Sequence, residues 1–262
     1  MKIVTITSSG RKGGNTERLI DMFEKQLSLL AKENKISLEI HHVALFDEGI
    51  QPCRGCRVCF EKGEAFCPLN DSTLAIRDEL LQADGLVLAS PVYVEDVNGT
   101  MKNWIDRMAY TCHRPAFFGK CALLITTSGS GSTSRSLHTM NNALSAWGFD
   151  VVYMQKYRMG ARIKEEELKQ QFSRNLLRSA SLLIDSIQNY QAQKPSLFSL
   201  LSFRVQQTYY RTSPRAGLTD HNYWEKNGWL NRKTHYYMPI LTGRMKLWIA
   251  GVLGYIAAHF FT

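Results

Sequence analysis

Four cysteines of this chain fall within fifteen residues: Cys53, Cys56, Cys59 and Cys67, spaced C-x2-C-x2-C-x7-C and followed by Pro68. Thiols at that density can hold a metal, cycle as a redox pair, or close structural bridges. A structural zinc usually takes its ligands as two separated pairs. Three cysteines at successive intervals of three suit a cubane instead, because one tight loop can reach three corners and a more distant thiol can close the cage. The Cys-Pro ending matches bacterial ferredoxin runs. A 4Fe–4S cluster on Cys53, Cys56, Cys59 and Cys67 is the leading expectation, with zinc or bare thiols left open. Cys121 sits in an apolar run and is expected to be a small core residue, and Cys112 likewise.

A second chemistry sits in Ser8-Ser9-Gly10-Arg11-Lys12-Gly13-Gly14-Asn15-Thr16. It offers backbone N–H groups, hydroxyls, two cations and a helix start near Asn15, the parts that hold a terminal phosphate. The guanidinium of Arg11 can fork onto phosphate oxygens. The order is neither that of a Walker loop nor G-x-G-x-x-G. Two further stretches have matching character. Pro91-Val92-Tyr93-Val94 pairs an aromatic ring with extended backbone that can lie along a flat heterocycle, and Thr127 to Ser132 is small and polar. Any one of these could be an ordinary βα connection; the three together point to a ligand site.

Those loops must be positioned by a sheet. Lys2 to Thr7 reads as a first strand, followed by an amphipathic helix over 17–32 and a second strand over 37–45. Asp71-Ser72 can cap a helix reaching about Gln82. The runs 85–90 and 121–126 are continuously apolar, as strands buried on both faces must be. Helices are predicted from about Met101 to Met108 and up to Trp147, then a fifth strand over 151–155 and a closing helix over 165–187. This alternation predicts a doubly wound α/β fold with right-handed crossovers. In such sheets ligands bind beyond the carboxyl ends of the strands, where all three loops emerge.

The totals bound the rest. With 262 residues the chain can bury a large core without covalent staples. Met1-Lys2 leads directly into a short apolar run, so no signal core is read. A reducing, cytoplasmic compartment is expected, where structural disulfides are rare. Net charge is +9, and from Pro195 onward eight Lys/Arg stand against Asp220 and Glu225, an excess of +6. No nucleic-acid motif accompanies it. The composition shifts at the same point, so residues 1–190 and 195–262 are expected to be an α/β domain and a helical, basic and aromatic extension. The apolar run from Leu247 to Phe261 spans about 22 Å as a helix, short of a hydrocarbon core of about 30 Å. Packing on the α/β domain or on a partner subunit is expected for it, with peripheral membrane contact as the second reading.

The segment "TSSGRKGGNTERL" resembles the phosphate loop of the flavodoxin-like NADPH-dependent FMN reductases. "ADGLVLASPVYVEDVNGTMKNWIDR" resembles their second flavin loop and the helix after it. The cysteine stretch between them is similar to that of the iron–sulfur flavoproteins, a branch of the same superfamily. The resemblance implies a flavodoxin-like three-layer fold with a five-stranded parallel sheet, order 2-1-3-4-5, binding FMN in a homo-oligomer. It places the FMN phosphate on Ser9, Arg11, Asn15 and Thr16. It places the ring against Pro91, Val92, Tyr93 and Val94, with Ser128 and Gly129 on the other side. Where that family usually shows Gly-Ser-x-Arg, this chain has Ser8-Ser9-Gly10-Arg11. The implied activity is an NAD(P)H-dependent flavin or quinone-type reductase whose cluster relays electrons; the alternative is a carrier fed by a ferredoxin-like donor. The flavin supplies the chemistry, so no catalytic side chain is assigned. His113 and Arg114 stand where they could meet a substrate or form a solvated surface pair.

Overall fold

Continuous runs of mostly apolar residues, buried on both faces, fix the central layer. In the computed structural model, which describes residues 1–191, 195–212 and 218–258, β1 (Lys2–Thr7), β3 (Gly85–Tyr93) and β5 (Cys121–Ser128) are almost wholly buried. The edge strands β2 (Glu39–Ala44) and β6 (Asp150–Arg158) are only partly buried. The five run parallel in the order β2-β1-β3-β5-β6. Counting parallel strands alone, that is the expected 2-1-3-4-5.

A sixth strand, β4 (Asp96–Val97), was not anticipated; it pairs antiparallel with the end of β3, Val92 opposite Val97 and Tyr93 opposite Asp96. Val94 and Glu95 between them adopt φ of +50° and +65°. Two left-handed residues in succession make the tight hairpin turn. No glycine marks it, so the sequence gives no turn signal there. The last parallel strand also runs on to Arg158, past the expected 155, because its outer residues Lys156 and Arg158 face solvent and break the apolar run.

Two helical layers close the sheet. Leu86 and Leu88 face one side, with Trp104 of α4 (Gly99–Arg107) and Trp147 of α5 (Ser134–Trp147), and α3 (Thr73–Gln82) completes that layer. The two indoles meet edge to face, 5.2 Å between centroids. Val87 and Ala89 face the other side, under α1 (Asn15–Glu33) and α6 (Glu165–Gln188). The cysteine loop leaves the carboxyl end of β2 and contains a short α-helical turn, α2 (Val58–Glu61), and a 3-10 turn over Glu64–Phe66.

Beyond Pro195, α7 (Leu197–Thr212), α8 (Thr219–Lys226) and α9 (Arg244–Ala258) build a third apolar cluster around Phe203, Tyr210, Trp224 and Trp229. It seats on the stretch after α4. Trp224 Nε1 donates to the His113 carbonyl at 2.7 Å, and Tyr223 Oη to that of Pro115 at 3.0 Å. Phe118 stacks on Tyr237 with centroids 4.9 Å apart. Among the described residues no helix is long and apolar enough to cross a membrane. The end of the apolar run, from His259 on, lies outside the described residues.

Candidate functional site: a strand-end cleft and a cysteine pocket

The three sequence-marked loops converge. A cleft of about 240 Å³ at the carboxyl ends of β1, β3 and β5 is lined by Ser9, Arg11, Asn15, Thr16, Pro91, Val92, Tyr93, Ser128 and Gly129, with Gly14, Thr127, Gly160 and Ala161. Val94 does not line it. It sits at the tip of the β3–β4 hairpin, 97% exposed, because the turn swings its side chain away.

Short-range bonds between the loops hold the cleft. Thr16 and Thr127 share a buried hydroxyl contact at 2.7 Å. Ser8 Oγ donates to Ser90 Oγ at 3.2 Å, and Asn98, the cap of α4, donates Nδ2 to the Ser8 carbonyl. Asn15 is already engaged: Nδ2 donates to the Gly160 carbonyl at 3.3 Å and Oδ1 accepts from Ile163 N at 3.4 Å. It ties the first loop to the chain after β6 rather than presenting a free amide. Gly160 N donates to the Gly129 carbonyl, closing the third side. Thr139 of α5 braces the hairpin through Asp96 Oδ1 at 2.9 Å.

The electrostatics of the first loop favour an anion. Gly14 caps α1 with no side-chain hydrogen bond, which leaves first-turn N–H groups for a ligand. Just before the cap, Gly13 N donates to Glu17 Oε2. Arg11 is exposed and enters no ion pair among the described residues.

The four cysteines line a second cavity, of about 90 Å³, with Arg54, Arg57, Glu64 and Arg107. All four are free thiols. Burial pushes the Cys59 thiol up to about 11; Arg114 pulls against that, while Cys67, Cys53 and Cys56 add to it. Among the described residues no three His, Cys, Asp or Glu side chains are gathered to hold a single metal ion. The thiols share a wall rather than a point. Cys121 is buried in β5, with its thiol also pushed up to about 11 by burial; Cys112 is only partly buried.

Sequence reasoning missed what anchors this pocket. Arg107, at the end of α4, donates Nη2 to Asp71 Oδ1 at 3.1 Å and Nη1 to the Gln51 carbonyl at 3.0 Å, and lies 3.8 Å from Cys67 Sγ. Burial alone would raise the Asp71 carboxyl, but bonds from Arg107, Thr73 and Gln51 N hold it below its ordinary value. Arg114 donates to the Cys59 carbonyl and to Glu64, both at 2.8 Å, and pairs with Asp220 of α8. His113 Nδ1 meets the same carboxylate at 2.7 Å. Arg114 is therefore buried rather than solvated and fastens the cysteine loop to the C-terminal helices, while His113, partly exposed, joins it on Asp220. Arg107 was visible in the motif "NWIDR", but the partner of Arg114 lies 106 residues away, beyond the reach of any local pattern.

Comparison with known proteins agrees with this geometry. The model of a family described as NADPH-dependent FMN reductase matches residues 1–162. An iron-sulfur flavoprotein of Archaeoglobus fulgidus is 28% identical over 231 residues, 88% of this chain and all of the relative. A match of that length must include residues 32–231, and so α7 and α8. An iron-sulfur flavoprotein of Methanocaldococcus jannaschii is 36% identical over 107 residues, 41% of this chain and 51% of the relative. Among solved structures, RosB with a bound formylated riboflavin phosphate intermediate superposes with a TM-score of 0.55 at 14% identity, over 73% of this chain and 82% of RosB; it shares the fold. The chain belongs to the NADPH-dependent FMN reductase family and is an oxidoreductase.

Proposed function

We propose that the strand-end cleft binds FMN, that a nicotinamide nucleotide is the electron donor, and that the four cysteines carry a 4Fe–4S cluster. The observation that carries the FMN reading is an exposed Arg11, in no ion pair among the described residues, beside the α1 N-terminus, which has no side-chain cap, in a cleft that Tyr93 also lines. In this reading Arg11, Ser9, Thr16 and the first-turn amides hold the phosphate, whose charge the helix end favours. Pro91, Val92 and Tyr93 bear on one part of the ring, Ser128 and Gly129 on another, and Asn15 keeps the two walls at fixed separation. Bound there, FMN would supply hydride acceptance and onward electron transfer, which are the flavin's own chemistry. The half-exposed Tyr93 leaves one side of the cleft open to the donor.

The cysteine pocket suits a cluster better than zinc. A cubane takes each thiolate at a different iron, so its ligands need not converge on one point as those of zinc must. Four thiolates around a cluster carry net negative charge; Arg54, Arg57 and Arg107 line the pocket and Arg114 bonds the Cys59 carbonyl, so cations stand near it although Glu61, Glu64, Asp71 and Asp220 answer part of that charge. The two iron-sulfur flavoproteins aligned above support the reading by name.

Protein prepared without oxygen is expected to show flavin absorption together with a broad charge-transfer shoulder, and to contain iron and sulfide. NADPH or NADH is expected to bleach the flavin promptly. Flavin without iron would sink the cluster alone; bleaching only by reduced ferredoxin would replace the enzyme reading with the carrier.

A further inference from the structure

Helix α9 has two opposite faces with different fates. Ala250, Gly254 and Ala258 are buried and lie against α7. Glycine is required at 254, where an added Cβ would stand 2.4 Å from Arg204 Cβ. At 100° per residue, Met245, Trp248, Val252 and Ile256 fall on the opposite side of the helix, 76%, 69%, 40% and 52% exposed. Among the described residues nothing buries this face. Lone exposed apolar residues are commonplace, but a contiguous stripe with an exposed indole marks a binding surface.

Charge identifies the occupant. Lys246 Nζ reaches the Pro195 carbonyl at 2.6 Å, while Gly254 abuts Leu201 and Arg204. The two helices therefore run side by side in the same direction. Arg244 then opens one end of the stripe, and Arg211, in the last turn of α7, lies toward the other. Neither has an ion-pair partner among the described residues. Of the two acidic residues after Pro195, Asp220 is buried and committed to Arg114 and His113. A second copy seated face to face would set this basic region against itself. An anionic lipid surface would accept both the apolar stripe and the cations.

We propose that α9 is an in-plane membrane-binding helix, which lays Met245, Trp248, Val252 and Ile256 into the interface of an anionic bilayer. It binds without crossing: fifteen helical residues span too little of the hydrocarbon layer. Aliphatic and aromatic side chains give the depth, and the flanking arginines give the preference for negative lipid.

The full chain should sediment with vesicles of phosphatidylcholine mixed with phosphatidylglycerol, sediment far less with phosphatidylcholine alone, and be released by salt. Trp248→Glu combined with Ile256→Glu should weaken partition by about tenfold or more. Arg211→Glu and Arg244→Glu should each weaken it by about fivefold or more. Thermal unfolding monitored by circular dichroism should be unchanged in all variants, since these side chains touch little in the fold. Failure to bind anionic vesicles, or equal binding by the double variant, overturns the proposal. So does a stable dimer that Trp248→Glu converts to monomer, because the stripe would then be covered by a second copy. None of these readouts depends on the flavin or the cluster.

Discussion

The strand-end cleft and the cysteine pocket share one rim of the sheet but are held together in different ways. The cleft is built from the last residues of β3 and β5, already fixed by ladder hydrogen bonds, and from the loop that leaves β1 beside them; short contacts such as Thr16 to Thr127 finish it. The pocket is irregular chain, held by two buried arginines whose carboxylate partners sit in distant segments. A site on a scaffold can lose a side chain and keep its shape. A site held by buried charges cannot, because removing one partner leaves the other unpaired and desolvated.

The largest effect should come from breaking that charge network. Arg114→Met takes the buried guanidinium from Asp220, leaving it His113 and Tyr210, while Glu64 keeps Arg77; it should cost up to about 3–5 kcal/mol in urea-induced unfolding. Where the variant remains folded, iron content should fall while FMN affinity stays close to that of the parent. Parallel loss of both would show that the two regions are not independent. The double change Arg114→Met with Asp220→Leu should recover part of the stability, since apolar replacement of a whole buried pair is often tolerated.

Arg11→Ala tests the other region. Losing one charge-assisted phosphate contact should raise the FMN dissociation constant about tenfold to a hundredfold. Stability of the flavin-free protein should change by no more than about 0.5 kcal/mol, because the side chain is exposed. A large loss of stability would mean that Arg11 braces the fold rather than the ligand.

The same contrast explains what could be read from the sequence. Strands β3 and β5 were legible because burial on both faces requires an unbroken apolar run, and the loops leaving them were legible because strand ends are where ligands bind. Of the ten cleft residues proposed from sequence, nine line the cleft. Val94 strays because a hairpin of two left-handed, non-glycine residues has no turn signal. The four cysteines stood out by spacing, yet their supports did not. Glu64, Asp71 and Arg114 look like ordinary surface charges until folding brings together residues tens of positions apart. The docking of α7 and α8 on the stretch after α4 was hidden for the same reason.

A smaller effect should separate wall from ligand. Thr127→Val removes the hydroxyl partner of Thr16 inside the cleft wall and should cost about 1 kcal/mol of stability, measured by thermal unfolding without flavin. FMN affinity should fall less than in Arg11→Ala, because the lost contact joins two parts of the protein. The reverse ranking would move the anion-binding role from Arg11 to the threonines.

The smallest effect concerns the edge beside the cleft. His42 of β2 places Nδ1 2.8 Å from Glu24 and Nε2 3.2 Å from Thr7 Oγ1, at the end of β1. The Glu24 hydrogen bond raises its pKa; burial opposes this, and Asp21 and Glu17 on α1 assist it. A histidine whose folded value lies above its unfolded value adds stability below the unfolded pKa, and that contribution is lost as pH rises through the folded one. Raising pH from about 6 to about 8 should therefore lower the unfolding free energy by about 0.5 kcal/mol or less, the pair being partly screened by solvent. His42→Gln should flatten this part of the profile while leaving the cysteine pocket untouched. If iron content also followed the pH change in the parent but not in the variant, β2 would couple the two sites, and their separation at the sheet rim would be only apparent.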